Sequence, residues 1–142
     1  MSTLTSEMEL ILRLGLAALS GFTFATVHGG VFTQREHHLR LHILVGLSAC
    51  MLILCAGESS DARSRAIQGV VTGVGFLGAG HILQVPSKSN DHPQDSIHGL
   101  TSAATIWFTA AIGISIATSG LSIVVQALFI ALTTLALLKP SR

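Results

Sequence analysis

Few side chains in this sequence have the chemistry to act on anything, and most of those stand inside apolar runs. Arg13, His28, Gln68, His81, Thr101, Thr105, Trp107 and Gln126 are flanked by hydrophobic residues, with Arg40 and Asp61 at the edges of such runs. An ionisable group in apolar sequence is costly unless it finds a partner or a wet cavity, so these residues are the first functional candidates. Asp61 has two readings. It pairs with an arginine of another helix, Arg13 being the one expected on its side, or it caps the helix that follows it, as aspartate commonly does. Gln68 lies seven residues further on and shares the helical face of Asp61. Arg13, Arg40, Asp61, Gln68, Thr101 and Trp107 are therefore the candidate polar cluster, expected near one another toward the ends or interior of a helix bundle.

Seven histidines raise the question of metal binding. His38 and His42 have the i, i+4 spacing that puts two imidazoles on one helix face. Only Glu36 stands near enough to complete a ligand set, and a solvated histidine-rich loop at headgroup level is the alternative reading. His81, His92 and His98 are scattered along the chain, and no metal or cofactor is predicted. Residues 73–78, GVGFLG, match G-x-G-x-x-G. A dinucleotide site needs a strand before those glycines and a soluble helix after them. Here they sit within one apolar run, so Gly69, Gly73, Gly75, Gly78 and Gly80 are read as a helix-packing face, since glycine lets backbones approach closely in lipid. Glycines also weaken a helix by up to ~1 kcal/mol each, which keeps open a local break facing a cavity. No nucleophile–base arrangement, Walker loop or phosphorylatable DKTG-type motif occurs, so the chain is predicted not to be an enzyme.

The elements that must hold these residues follow from composition. Of 142 residues 49% are hydrophobic and 11% charged, and mean hydropathy is +0.66. Soluble domains are about 25% charged, so this chain lacks the polar coat that water requires. A net charge of +1 gives no footprint for nucleic acid. Measured against the ~20 residues that cross a bilayer, five runs qualify as helices: about 10–31, 41–57, 66–85, 99–118 and 121–138. The last two come from 40 uncharged residues, 99–138. One helix of that length would be roughly 60 Å long, twice the hydrocarbon thickness, so it must fold back, and Ser119-Gly120 is the turn signal. The fold class is all-α, a polytopic membrane bundle of about five helices forming one transmembrane domain, 1–142, because irregular backbone cannot be satisfied in lipid. The first run, with Glu7 and Glu9 before Arg13, lacks a signal peptide's basic start and is expected to be a retained anchor. Cys50 and Cys55 point about 140° apart on a helix and are read as free thiols. Five spans place Arg35, Arg40, Lys88, Lys139 and Arg142 on one side, with Arg63, Arg65 and a snorkelling Arg13 opposite; the richer side is expected inside, with the N-terminus outside and the C-terminus cytoplasmic.

Four pieces of the chain, in order, resemble the MgtC/SapB family of bacterial inner-membrane proteins. Residues 61–80, DARSRAIQGVVTGVGFLGAG, are similar to its Asp-x-x-Arg…Gln-x-x-x-GxGFLGAG signature, and residues 98–113, HGLTSAATIWFTAAIG, to its GLTTAATLW…AAIG block. Residues 39–45, LRLHILV, resemble a GLRTHxLV pattern, and residues 9–21 its EILRL-like start with Arg13. Val27 and His28 stand where the family usually has a Glu-Arg pair, and Leu41 replaces the threonine of the turn.

The resemblance implies a multi-pass protein of the bacterial inner membrane linked to magnesium limitation and, in pathogens, to virulence. With the chain ending at Arg142, no soluble C-terminal domain is expected. It implies action on other membrane machinery, the ATP synthase or a transport ATPase, with a homo-oligomer as a further option. The rival expectation is a transporter, or transport accessory subunit, for Mg²⁺ or another small cation, lined by Arg40, Asp61, Gln68 and Thr101. A magnesium site needs hard oxygen ligands, commonly one or two carboxylates, and near the membrane only Asp61 qualifies.

Overall fold

A computed structural model describes residues 2–28, 35–83, 99–119 and 121–137. They form five helices: α1 (Ser2–His28), α2 (Arg35–Cys55), α3 (Ser60–Leu83), α4 (Leu100–Thr118) and α5 (Leu121–Leu137). The protein is an all-α membrane helix bundle. Three helices hold stretches long and apolar enough to cross a bilayer, Glu7–Thr26, His37–Cys55 and Leu100–Thr118. The apolar part of α5, Ser122–Thr134, is shorter. In α3 the N-terminal charges and the glycines dilute its apolar character. The helices outrun the apolar runs at several ends: α2 begins at Arg35, inside a segment that reads as polar in sequence. Polar residues with good helix propensity extend a helix into the headgroup region without cost.

Local signals mark the ends. Gly57 closes α2 at φ 74, a left-handed conformation that side chains resist, and its amide donates to the Leu54 carbonyl. Two residues on, the Ser59 hydroxyl accepts from the Ala62 amide and the Ser59 carbonyl from the Arg63 amide, so Ser59 caps α3. Gly99, at φ 89, precedes α4. The turn read at Ser119-Gly120 is borne out at Ser119, whose backbone is extended and whose amide closes α4 on the Ser115 carbonyl.

The centre is a three-helix seam of α1, α2 and α4, stepped four residues at a time. In one layer Arg13 of α1 meets α4 at Ile116 and Ala117 and lies against Cys50 of α2. In the next, Gly46 faces Ala17 and Gly113. In the third, Gly21 meets the backbone of His42, and His42 meets Thr109. Thus α2 runs antiparallel to α1 and parallel to α4. A Cβ on Gly21 would sit 2.6 Å from the His42 carbonyl oxygen, and one on Gly113 would collide with the Gly46 carbonyl oxygen. Lipid offers no hydrophobic drive between helices, so association rests on this kind of close packing. Buried Ile53, Ile112 and Ile116 fill the space around the seam, and Phe24 stacks on Phe108 with ring centroids 5.0 Å apart. Outside it, α3 packs antiparallel on α4, where a Cβ on Gly78 would sit 3.6 Å from the Ala103 Cβ, while α5 flanks α4 and α1.

Candidate functional site

Arg13 is held on three oxygens. Its Nη1 donates to the carbonyls of Ile116 and Ala117 at 2.9 and 2.8 Å, and its Nη2 and Nε both reach Glu9 Oε1, at 2.8 and 3.2 Å. The last carbonyls of a helix have no partner within it. A guanidinium there satisfies two of them and complements the negative end of the helix dipole. Asp61 lies in the first turn of α3 and makes an exposed ion pair with Arg65, one turn on. The expected Arg13–Asp61 pair is not formed. Each residue has an opposite charge four positions away on its own helix, which needs no second helix to be positioned. Asp61 is not the cap either, since Ser59 holds that place, but as an acid in the first turn it still faces the positive end of the dipole.

The other candidates are dispersed. Arg40 is exposed on α2, and Gln68 on the outward side of α3, its carbonyl accepting from the Thr72 hydroxyl at 2.9 Å. Thr101, at the start of α4, lines an apolar pocket with Phe24, Phe108 and Ile130. Trp107 is 47% exposed and closes a pocket of about 230 Å³ against Val70, Val71 and Val74 of α3. No hydrogen bond or ion pair joins any two of Arg13, Asp61, Gln68, Thr101 and Trp107 among the described residues. The side chains of Val27 and His28, and all of residues 84–98, lie outside the described residues.

The five glycines of α3 behave differently from a packing face within this chain. A Cβ on Gly69, Gly73, Gly75 or Gly80 would meet nothing within 4 Å, and only Gly78 touches another helix. Gly69 and Gly73 border an apolar groove of about 410 Å³ between α3 and the Leu41, Val45 and Leu52 side of α2. The close packing falls instead on Gly21, Gly46 and Gly113.

His42 is the feature that sequence reasoning misjudged. It is not a solvated loop residue: it is 1% exposed, and its Nδ1 lies 2.8 Å from Thr109 Oγ1. The Thr109 hydroxyl proton is already directed to the Thr105 carbonyl, at 2.8 Å. The hydroxyl therefore accepts from His42, which fixes the proton on Nδ1. Every buried side-chain nitrogen and oxygen among the described residues has a partner. His38, read with His42 as part of a solvated loop, meets His81 of α3 across the helices, ring centroids 5.5 Å apart. A signal for the seam was available in two rows of small residues at intervals of four, Ala17-Gly21-Ala25 and Thr109-Gly113-Ala117, all buried. The two cysteines are free, Cys50 buried and Cys55 exposed.

Residues 14–142 match the model of the MgtC family. The chain is 42% identical over 87 residues to Protein SrpB of Synechococcus elongatus, covering 56% of this chain and 48% of that protein. It is 37% identical over 123 residues to an Escherichia coli protein described as "Putative magnesium transporter YhiD", covering 76% and 50%. It is 37% identical over 82 residues to Protein MgtC of Salmonella typhimurium, covering 57% and 32%. The chain thus spans about half or less of the length of these relatives. No solved structure matches.

Proposed function

This chain belongs to the MgtC family, and from that premise we propose that it is a regulatory membrane protein, docking sideways in the bilayer on helices of a larger membrane complex and performing no catalysis itself. The observation that carries this reading is the outward side of α3. Gly69, Gly73, Gly75 and Gly80 expose bare backbone, with the Gln68 and Thr72 side chains exposed beside them. Ile67 and Ile114 border the same pocket while Gly78 meets Ala103, so Gln68 stands level with the interior of the span Leu100–Thr118. Uncovered backbone and an amide at that depth face lipid poorly and a partner helix well. A role in magnesium homeostasis or magnesium-limited growth and virulence, a partner such as the ATP synthase or a transport ATPase, and placement in the bacterial inner membrane with the N-terminus outside complete the proposal.

Affinity capture from native membranes tests it. The unmodified chain is expected to retain a membrane-protein partner, and Gly73→Leu to lose it while still inserting and folding. Equal capture by Gly73→Leu removes this face as the contact surface.

A second reading, transport of Mg²⁺ or another small cation, draws on the description of the YhiD relative. Of the chain's seven carboxylates, at positions 7, 9, 36, 58, 61, 91 and 95, Glu7 and Glu9 stand at the very start of the Glu7–Thr26 stretch, Glu9 is engaged by Arg13 and Asp61 by Arg65. Mg²⁺ flux into proteoliposomes that vanishes in Asp61→Asn would favour this reading over docking.

A further inference from the structure

The histidines left unused by the docking surface include a pair that the fold brings together from distant sequence. His38 lies in the first turn of α2 and His81 in the last turn of α3. The antiparallel course of these helices sets the two imidazoles side by side, centroids 5.5 Å apart and planes at 76°. Both are partly exposed. We propose that His38 and His81 form a two-imidazole site for a borderline divalent transition metal of the Zn²⁺ type, bridging α2 and α3.

The spacing fits such an ion. A zinc–imidazole bond is about 2.0–2.1 Å, which puts the metal about 3.2 Å from each ring centre, and two rings at a tetrahedral angle are then about 5.2 Å apart. The observed separation is within a few tenths of an ångström of that value. Partial exposure lets water occupy the remaining positions, because among the described residues no third His, Cys, Asp or Glu joins the pair. Donor chemistry sets the selectivity. Neutral imidazole suits Zn²⁺, Cu²⁺ and Ni²⁺, whereas Mg²⁺ takes oxygen ligands and keeps its waters, so this is not a magnesium site. The site lies at one end of the α2–α3 groove, and a bound metal would hold the two helices together there. This inference stands apart from the docking proposal and uses none of the same residues.

The test uses the full chain in detergent, stripped with chelator, with Zn²⁺, Cu²⁺ and Mg²⁺ as probes. Calorimetry is expected to show one Zn²⁺ per chain, unaffected by millimolar Mg²⁺. His38→Gln and His81→Gln should each weaken binding at least ~10-fold, the double variant more than either, and His37→Gln, at the exposed neighbour, should bind as the unmodified chain does. Cu²⁺ bound to the unmodified chain should give electron-paramagnetic couplings to two imidazole nitrogens, a readout that needs no variant to fold. Zn²⁺ affinity unchanged by His81→Gln, equal loss in His37→Gln, or couplings from fewer than two imidazoles would each overturn the proposal.

Discussion

Two sets of glycines in this molecule have opposite surroundings. Those of the α1–α2–α4 seam, Gly21, Gly46 and Gly113, are pressed against the backbone of a neighbouring helix, closely enough that a methyl group has no place to go at Gly21 or Gly113. Those of α3, Gly69, Gly73, Gly75 and Gly80, face open space. The difference is invisible in local composition, where α3 has the denser glycines and the stronger motif. It shows that glycine density marks where close approach is available, whereas burial with regular partners at every fourth residue marks where the fold has used it. The seam supports the bundle, whereas the α3 glycines leave backbone uncovered, which is what the docking proposal builds on.

The largest expected effect is at Gly113. Gly113→Ala places a methyl on the Gly46 carbonyl and within 3.2 Å of the Ala49 Cβ, so α2 and α4 must separate. Overpacking against backbone should cost about 3 kcal/mol, read as lowered resistance to denaturant in mixed micelles. A variant as stable as the unmodified chain would show that the seam is looser than its geometry. Thr109→Val is next. It keeps the methyl that faces Gly46, 3.3 Å from where a Cβ there would sit, and removes only the oxygen that accepts from His42. Losing this buried hydrogen bond should cost about 1–2 kcal/mol. Nitrogen NMR of the histidine should report Nδ1–H in the unmodified chain and a changed environment in the variant.

How much of this was legible beforehand depends on what kind of signal each part leaves. The all-α class, the turn at Ser119 and the free thiols follow from hydropathy, length and spacing, which act locally. The seam leaves only a faint mark, because the four-residue repeats Ala17-Gly21-Ala25 and Thr109-Gly113-Ala117 look like ordinary small residues in apolar helices until their partners are known. His42 was misjudged because Arg35 and Glu36 make its neighbourhood read as loop, whereas the helix has already begun and carries the ring inward. Arg13 was recognised as consequential, but its acceptors, two backbone carbonyls more than 100 residues away, have no sequence signature at all. Sequence pairs charges with charges, and an orphan helix end competes for them unseen.

That clamp supplies a smaller test of the contrast. Arg13→Met keeps an unbranched chain of similar length and removes the donors to Ile116 and Ala117. The loss should be about 0.5–1.5 kcal/mol, with faster amide exchange confined to the last turn of α4. Glu9→Gln, which leaves the carbonyl contacts in place, should do less. Loss of protection spreading through α2 and α4 would mean that Arg13 supports the whole seam and not one helix end.

The smallest effect should also have the opposite sign, at Gly73. An alanine there meets no neighbour within 4 Å, so none of the penalty expected at Gly113 applies. What remains is the intrinsic gain of alanine over glycine inside a helix, up to ~1 kcal/mol. In the purified single chain Gly73→Ala should therefore be neutral or slightly stabilising, measured by the same denaturant series as Gly113→Ala. In native membranes the sign should reverse. If a partner helix lies on this face, the added methyl holds it off, and capture of that partner should weaken while the isolated chain is no less stable. A single chemical change then separates fold from function, because only a contact absent from the isolated bundle can be harmed by it. Should Gly73→Ala destabilise the purified chain as Gly113→Ala does, α3 must already be covered by another copy of the protein in the micelle, and the distinction between the two glycine sets would be one of partner and not of use.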